Sequence, residues 1–117
     1  EDEKGTREAQ TDVAPYIDNG YTQIPLRGLL EQMGATFEWD GEYNKITVDA
    51  DGVIIKMQIY NKLVTVTHRV YGEIRYTLHS VPQIKDSRTF VPLRFISENL
   101  GYSVEWNGET QEITITK

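Results

Sequence analysis

The sequence predicts an α+β domain: antiparallel strands with two short helices, built from two β-α-β-β repeats around a central inter-repeat β segment. Three observations carry this. A strand-like run passes straight into a short helical run twice, at 22–33 and at 89–100. Pro15 and Pro82, Pro25 and Pro92, Arg27 and Arg94, and Trp39 and Trp106 all lie 67 positions apart, so 15–48 falls on 82–115 without a gap. After the first of those runs Ala35, Phe37 and Trp39 alternate with Thr36 and Glu38, the period of a half-buried strand, and the second copy repeats this.

Each element follows from its residues. Thr89, Phe90 and Val91 favour a strand. Pro92 suits the first helical position, where its missing N–H costs nothing. Leu93, Ile96 and Leu100 recur at helical spacing with Phe95 beside them, and Gly101 ends the helix in a left-handed conformation. The earlier copy runs Thr22-Gln23-Ile24, a helix over 25–33 that starts at Pro25, then Gly34 as its stop. After it Ala35, Phe37 and Trp39 share one side of a strand, with Thr36 and Glu38 on the other. Asp40-Gly41 begins a turn, and Ile46 and Val48 return on the inward side. Tyr102, Val104, Trp106, Ile113 and Ile115 repeat the pattern, so both tryptophans are expected as core beneath the helices.

A short strand over 13–17, with Pro15 at an edge, and an Asn19-Gly20 turn open the first repeat. Asp86-Ser87 stands in the place of Asn19-Gly20, which specifies the second turn less sharply. Gln23 and Gly28 stand opposite Phe90 and Phe95, so the two helices are expected to pack differently. Between the repeats, 53–59 and 63–67 read as strands joined by Tyr60-Asn61-Lys62, and a third at 73–78 follows Val70-Tyr71-Gly72. The domain division is therefore a disordered, acidic lead-in at 1–12 and one domain at 13–117, with repeat one at 13–48, inter-repeat strands at 53–78 and repeat two at 81–116. Neither repeat buries enough surface to fold alone, so the inter-repeat strands are expected to pair with both.

Composition excludes several functions. The 117 residues carry a net charge of −6, and their basic residues are scattered, which argues against a nucleic-acid partner. No apolar run reaches the length of a membrane span. The sequence shows no signal-peptide pattern, as a mature or excised piece would not. With no cysteine there is no disulfide scaffold, no thiolate nucleophile and no cysteine zinc site.

Side chains that carry chemistry are sparse. No Gly-x-Ser-x-Gly elbow occurs. His68 and His79 read as surface residues rather than metal ligands. Glu38 and Glu105 precede the tryptophans and mimic an acid–base pair, but read as outer-face residues or as partners of Arg27 and Arg94. Those arginines also stand four residues before Glu31 and Glu98, a helix-stabilising spacing. Asp49, Asp51 and Gly52 form a turn without EF-hand spacing. No catalytic, cofactor-binding or metal-binding residue is assigned. Structural roles fall to Trp39, Trp106, Arg27, Arg94, Pro25, Pro92, Gly34 and Gly101. The tyrosines do not repeat, and Tyr60, Tyr71 and Tyr76 are the candidate ligand or partner surface, provided that they share one face.

The runs Pro-Tyr-Ile-Asp-Asn-Gly-Tyr-Thr-Gln-Ile-Pro-Leu-Arg and Gly-Ala-Thr-Phe-Glu-Trp-Asp-Gly resemble the copper amine oxidase N-terminal-like domain. So does Thr-Phe-Val-Pro-Leu-Arg-Phe-Ile-Ser-Glu-Asn-Leu-Gly-Tyr-Ser-Val-Glu-Trp-Asn-Gly, and together the motifs span nearly the whole chain. The resemblance implies a tandem unit of secreted or cell-surface bacterial proteins, named for a stalk that is separate from the catalytic domain. It does not imply oxidase chemistry, which needs a tyrosine-derived quinone and a copper held by three histidines, where this chain has two. The expected function is a non-catalytic extracytoplasmic accessory module: stalk, spacer or adhesion unit of a larger protein. The alternatives are a carbohydrate-binding module that recognises cell-wall or plant polysaccharide through exposed tyrosines, and a self-association domain. The expected partners are an extracellular glycan or a protein domain, with neither nucleic acid nor membrane insertion and with a homo-oligomer allowed.

Overall fold

The computed structural model describes residues 6–8, 14–107, 109–110 and 112–117; the side chains of 6–8 and 106 lie outside that description. In chain order the elements are β1 (Thr6–Glu8), β2 (Tyr16–Asp18), β3 (Tyr21–Pro25), α1 (Leu26–Met33), β4 (Thr36–Asp40), β5 (Lys45–Ala50), β6 (Val53–Gln58) and β7 (Leu63–His68). They continue as β8 (Gly72–Thr77), β9 (Gln83–Lys85), β10 (Arg88–Pro92), α2 (Leu93–Asn99), β11 (Ser103–Asn107) and β12 (Glu112–Thr116). The chain is α+β, mostly antiparallel strand with two helices.

Both prolines mark the junction of strand and helix. Pro25 (φ −58°, ψ 130°) and Pro92 (φ −67°, ψ 117°) are the last strand residues, so each helix starts one position after the expected start. Their fixed φ suits either side of the boundary, and their extended ψ places them on the strand side. Each helix ends in the same two bonds. Gly34 and Ala35 donate to the carbonyls of Glu31 and Leu30, and Gly101 and Tyr102 to those of Glu98 and Ser97, with the glycines at φ 68° and 91°.

The strands form three sheets, in the orders β1-β12-β11, β2-β3-β10-β9 and β4-β5-β6-β7-β8. In the five-stranded sheet the register sets Phe37 opposite Val48, Trp39 opposite Ile46, and Ile55 opposite Val48 and Val66. Residues opposite each other share a face, so one apolar face runs across the sheet. That face meets Leu26, Leu29 and Leu30 of α1, Leu93 and Ile96 of α2, and Val104, Ile113 and Ile115 of the three-stranded sheet in one core.

Two expectations change. The inter-repeat strands do not stand centrally and do not pair with both halves: β6, β7 and β8 extend the first half's sheet as a meander. Tight turns join neighbours in sequence, so the sheet grows outward from β5. The halves are joined instead by β3 and β10, with Ile24 opposite Val91. The inter-repeat segment reaches the second half by packing, as where Tyr76 meets Phe95 edge-on at 5.3 Å between centroids. Within the presumed lead-in, Thr6–Glu8 pair with β12, Arg7 opposite Ile115. The unpaired backbone along the edge of β12 accepts any extended segment, so polar composition does not prevent pairing. The rest of 1–12 lies outside the described residues.

Candidate binding groove

Trp39 is the largest departure from expectation. It lies on the core-facing side of β4, opposite the fully buried Ile46, yet it is 43% exposed. β4 is an edge strand, and Trp39 sits near its far end. Half-buried Phe37 packs against the core; two residues on, the indole reaches beyond it. There it lies against the turn, where a Cβ on Gly41 would meet Nε1 at 3.4 Å. Trp106 holds the corresponding register opposite Ile113, but its side chain lies outside the described residues.

Trp39 forms one wall of a groove of about 780 Å³. The start of α1 supplies Arg27, Gly28 and Glu31, β4 supplies Phe37, and the β9–β10 hairpin supplies Ile84, Ser87 and Arg88. The groove therefore spans the two halves of the chain. Arg27 places its guanidinium carbon 5.2 Å from the centre of the Phe37 ring, tying helix to strand.

A second groove, of about 580 Å³, is lined by Ile17, Gly20, Tyr21, Thr22, Pro92, Leu93, Arg94, Phe95, Glu98 and Val104. Each of these stands 67 positions from a residue lining the first groove. The two have diverged in content. In the second, Arg94 donates to Glu98 at 3.2 Å and to the Val104 carbonyl at 3.3 Å. Phe95 stands where the first groove has Gly28, and Thr77, Leu78, His79 and Ser80 join the lining. Tyr21 stacks on His79 at 5.9 Å.

The candidate tyrosines go to three places. Tyr60 and Tyr71 lie in the connections at opposite ends of β7, and Tyr76 is half-buried against Phe95. Six strand residues at about 3.3 Å each separate the first two by roughly 20 Å. Tyr60 is engaged locally. Its N–H donates to the Pro82 carbonyl at 2.7 Å and its hydroxyl to the Ile84 carbonyl at 3.2 Å, covering the free edge of β9. Tyr71 is 80% exposed, with His68 edge-on at 5.9 Å. His79 lies elsewhere, its carbonyl accepting from Asn19 Nδ2. Among the described residues no group of three or more His, Cys, Asp or Glu is placed to hold a metal. Glu38 and Glu105 are exposed on the outer faces, as the alternation requires.

A polar network beside the four-stranded sheet was not expected from the sequence. Tyr16 donates to Gln83 Oε1 at 2.6 Å, and Gln83 Nε2 donates to Asp18 Oδ2 at 2.9 Å. Ser80 donates to the same carboxylate oxygen at 2.8 Å and accepts from the buried Gln23 at 2.6 Å. Burial, then the charge of Asp18 and the neighbouring Tyr60, raise the Tyr16 pKa above its ordinary 10.0. The signal was present in Gln23, a polar residue in a run otherwise apolar.

The family model described as Copper amine oxidase N-terminal domain matches residues 5–115, and the chain belongs to that family. The N-terminal domain of this family is a non-catalytic module. Comparison with curated proteins yields no match.

Proposed function

We propose that this chain is a non-catalytic accessory module of a larger secreted or cell-surface bacterial protein, serving as a stalk or spacer that also presents a binding groove. The observation that carries the reading is the family match over 5–115, nearly the whole chain. The element order supports it: β2, β3, α1, β4 and β5 precede β6–β8, and β9, β10, α2, β11 and β12 follow them, hairpin, helix and hairpin each time. Duplication suits a spacer, because joining two short units through β3 and β10 lengthens a rigid body without a hinge.

Incubating the purified chain with amines, oligosaccharides and peptides tests the absence of chemistry, and no substrate should be consumed above the buffer rate. Turnover of any of them at enzymatic rates, around 1 s⁻¹ or faster, would overturn the reading. Fractionation of producing cells tests the address, with the parent protein expected in the wall or medium fraction.

A further inference from the structure

We propose that the free edge of β8 is a self-association surface, on which a second copy of this chain lays its own β8 antiparallel about a two-fold axis at Ile74. A stalk or spacer needs no second copy, so failure of this pairing would leave the accessory-module reading intact.

The edge is open. Among the described residues no strand pairs with the outer side of β8, and at six residues it is the longest of the edge strands. Sheet edges are ordinarily protected by shortness, proline, lysine, bulges or a covering segment. Tyr60 covers β9 in this way. By contrast, β8 has no proline or lysine, and its register with β7 is unbroken from Gly72 to Thr77.

The bonds to β7 fix which backbone groups the edge presents. Leu78 donates its N–H to the Lys62 carbonyl at 2.7 Å, just outside the Leu63–Thr77 pair, so that pair is of the non-hydrogen-bonded kind. The two kinds of pair alternate along an antiparallel ladder. Glu73, Arg75 and Thr77 therefore point their N–H and C=O groups away from β7, and a second strand must pair these residues with their own kind. Centring the two-fold axis on Glu73 or on Arg75 would set like charges directly opposite, which is unfavourable. Centring it on Ile74 sets each Glu73 opposite the Arg75 of the other copy.

The side chains agree with that register. Ile74 stands opposite the fully buried Val66, so it lies on the core-facing side, yet it is 40% exposed where the sheet ends. At the axis it meets its own copy, in the closer kind of pair. Tyr76 falls opposite Gly72, which has no side chain to crowd the ring. On the other face Glu73 and Arg75, already bonded along the strand at 3.3 Å, form an alternating square of charges with their copies. Charges that blunt an edge against other strands thus fit a second copy of this one.

Sedimentation of the full chain from about 10 μM to about 1 mM, a span suited to small transient interfaces, should show a monomer–dimer equilibrium. Amide exchange followed by NMR should locate it. The N–H groups of Glu73 and Arg75 should exchange more slowly at the higher concentration, while those of Ile74 and Tyr76, already bonded to β7, should change far less. Glu73→Arg and Arg75→Glu should each weaken self-association by about tenfold or more. An equimolar mixture of the two variants should associate again, and the doubly swapped chain should dimerise like the parent. A parent chain that stays monomeric at about 1 mM would overturn the proposal. So would association without slower exchange at Glu73 and Arg75, which would place the contact on another surface, or a doubly swapped chain as monomeric as the single variants. Exchange in the unmodified chain decides the matter even where a variant fails to fold.

Discussion

Ser87 holds a φ of 64° and Asp86 one of 53°, the same left-handed pair as Asn19 at 53° and Gly20 at 82°. The second hairpin thus makes the first hairpin's turn with a residue that has a Cβ, where glycine costs least. Ser87→Gly should therefore stabilise the protein by about 1 kcal/mol, less the extra freedom glycine gives the unfolded chain. A thermal melt should rise by a few degrees. Tyr16 gives a prediction of pH dependence. Its raised pKa means that the folded state holds the phenolic proton more tightly than the unfolded chain does. That contribution is fully present below pH 10.0 and is lost as pH rises from there through the raised value. Urea midpoints at about pH 9 and about pH 11 should differ less in Tyr16→Phe than in the parent. The variant will start from a lower midpoint, because Gln83 Oε1 loses its donor.

At the scale of elements, the helix ends and the edge strand behave oppositely. A Cβ added at Gly34 would find nothing within 4 Å, so Gly34→Ala meets no clash. Its cost is the backbone alone: an alanine at φ 68° should lose about 1 kcal/mol, seen as a lower urea midpoint with unchanged slope. Trp39→Ala separates the fold from the alternation that hid it. A buried tryptophan would cost about 3–5 kcal/mol, but an indole 43% exposed on an edge strand should cost clearly less, about 1–2 kcal/mol. A loss of about 4 kcal/mol or more, from chemical denaturation, would place the ring in the core after all.

For the whole molecule, the pairing of β3 with β10 decides cooperativity. Ile24 and Val91, opposite each other and both fully buried, carry the core across the join. Neither half can lose its part of that sheet without exposing the other's apolar surface. Ile24→Ala should therefore cost about 2–5 kcal/mol and lower one shared transition. Far-ultraviolet circular dichroism and tryptophan fluorescence should trace the same curve. Two transitions would mean that the halves fold separately and that β3–β10 is a weak contact.

Much of the fold was legible in the sequence because it is local. The left-handed stops at Gly34 and Gly101, the prolines at the strand–helix junctions and the period-two alternation each depend on a few neighbouring residues. The alternation even placed Trp39 on the correct face, opposite Ile46. What it could not supply was depth, since exposure depends on which strands end as edges and how far a helix reaches over them. That is settled by pairing between segments distant in sequence, β3 with β10 and β1 with β12. The groove belongs to the same class. Arg27 and Arg88 are 61 positions apart in the chain, and only the docking of the second hairpin beside the first helix brings them to one ligand-sized space. Periodicity therefore determined the elements and their inward faces, while tertiary pairing alone decided which aromatic ring meets solvent and what stands around it.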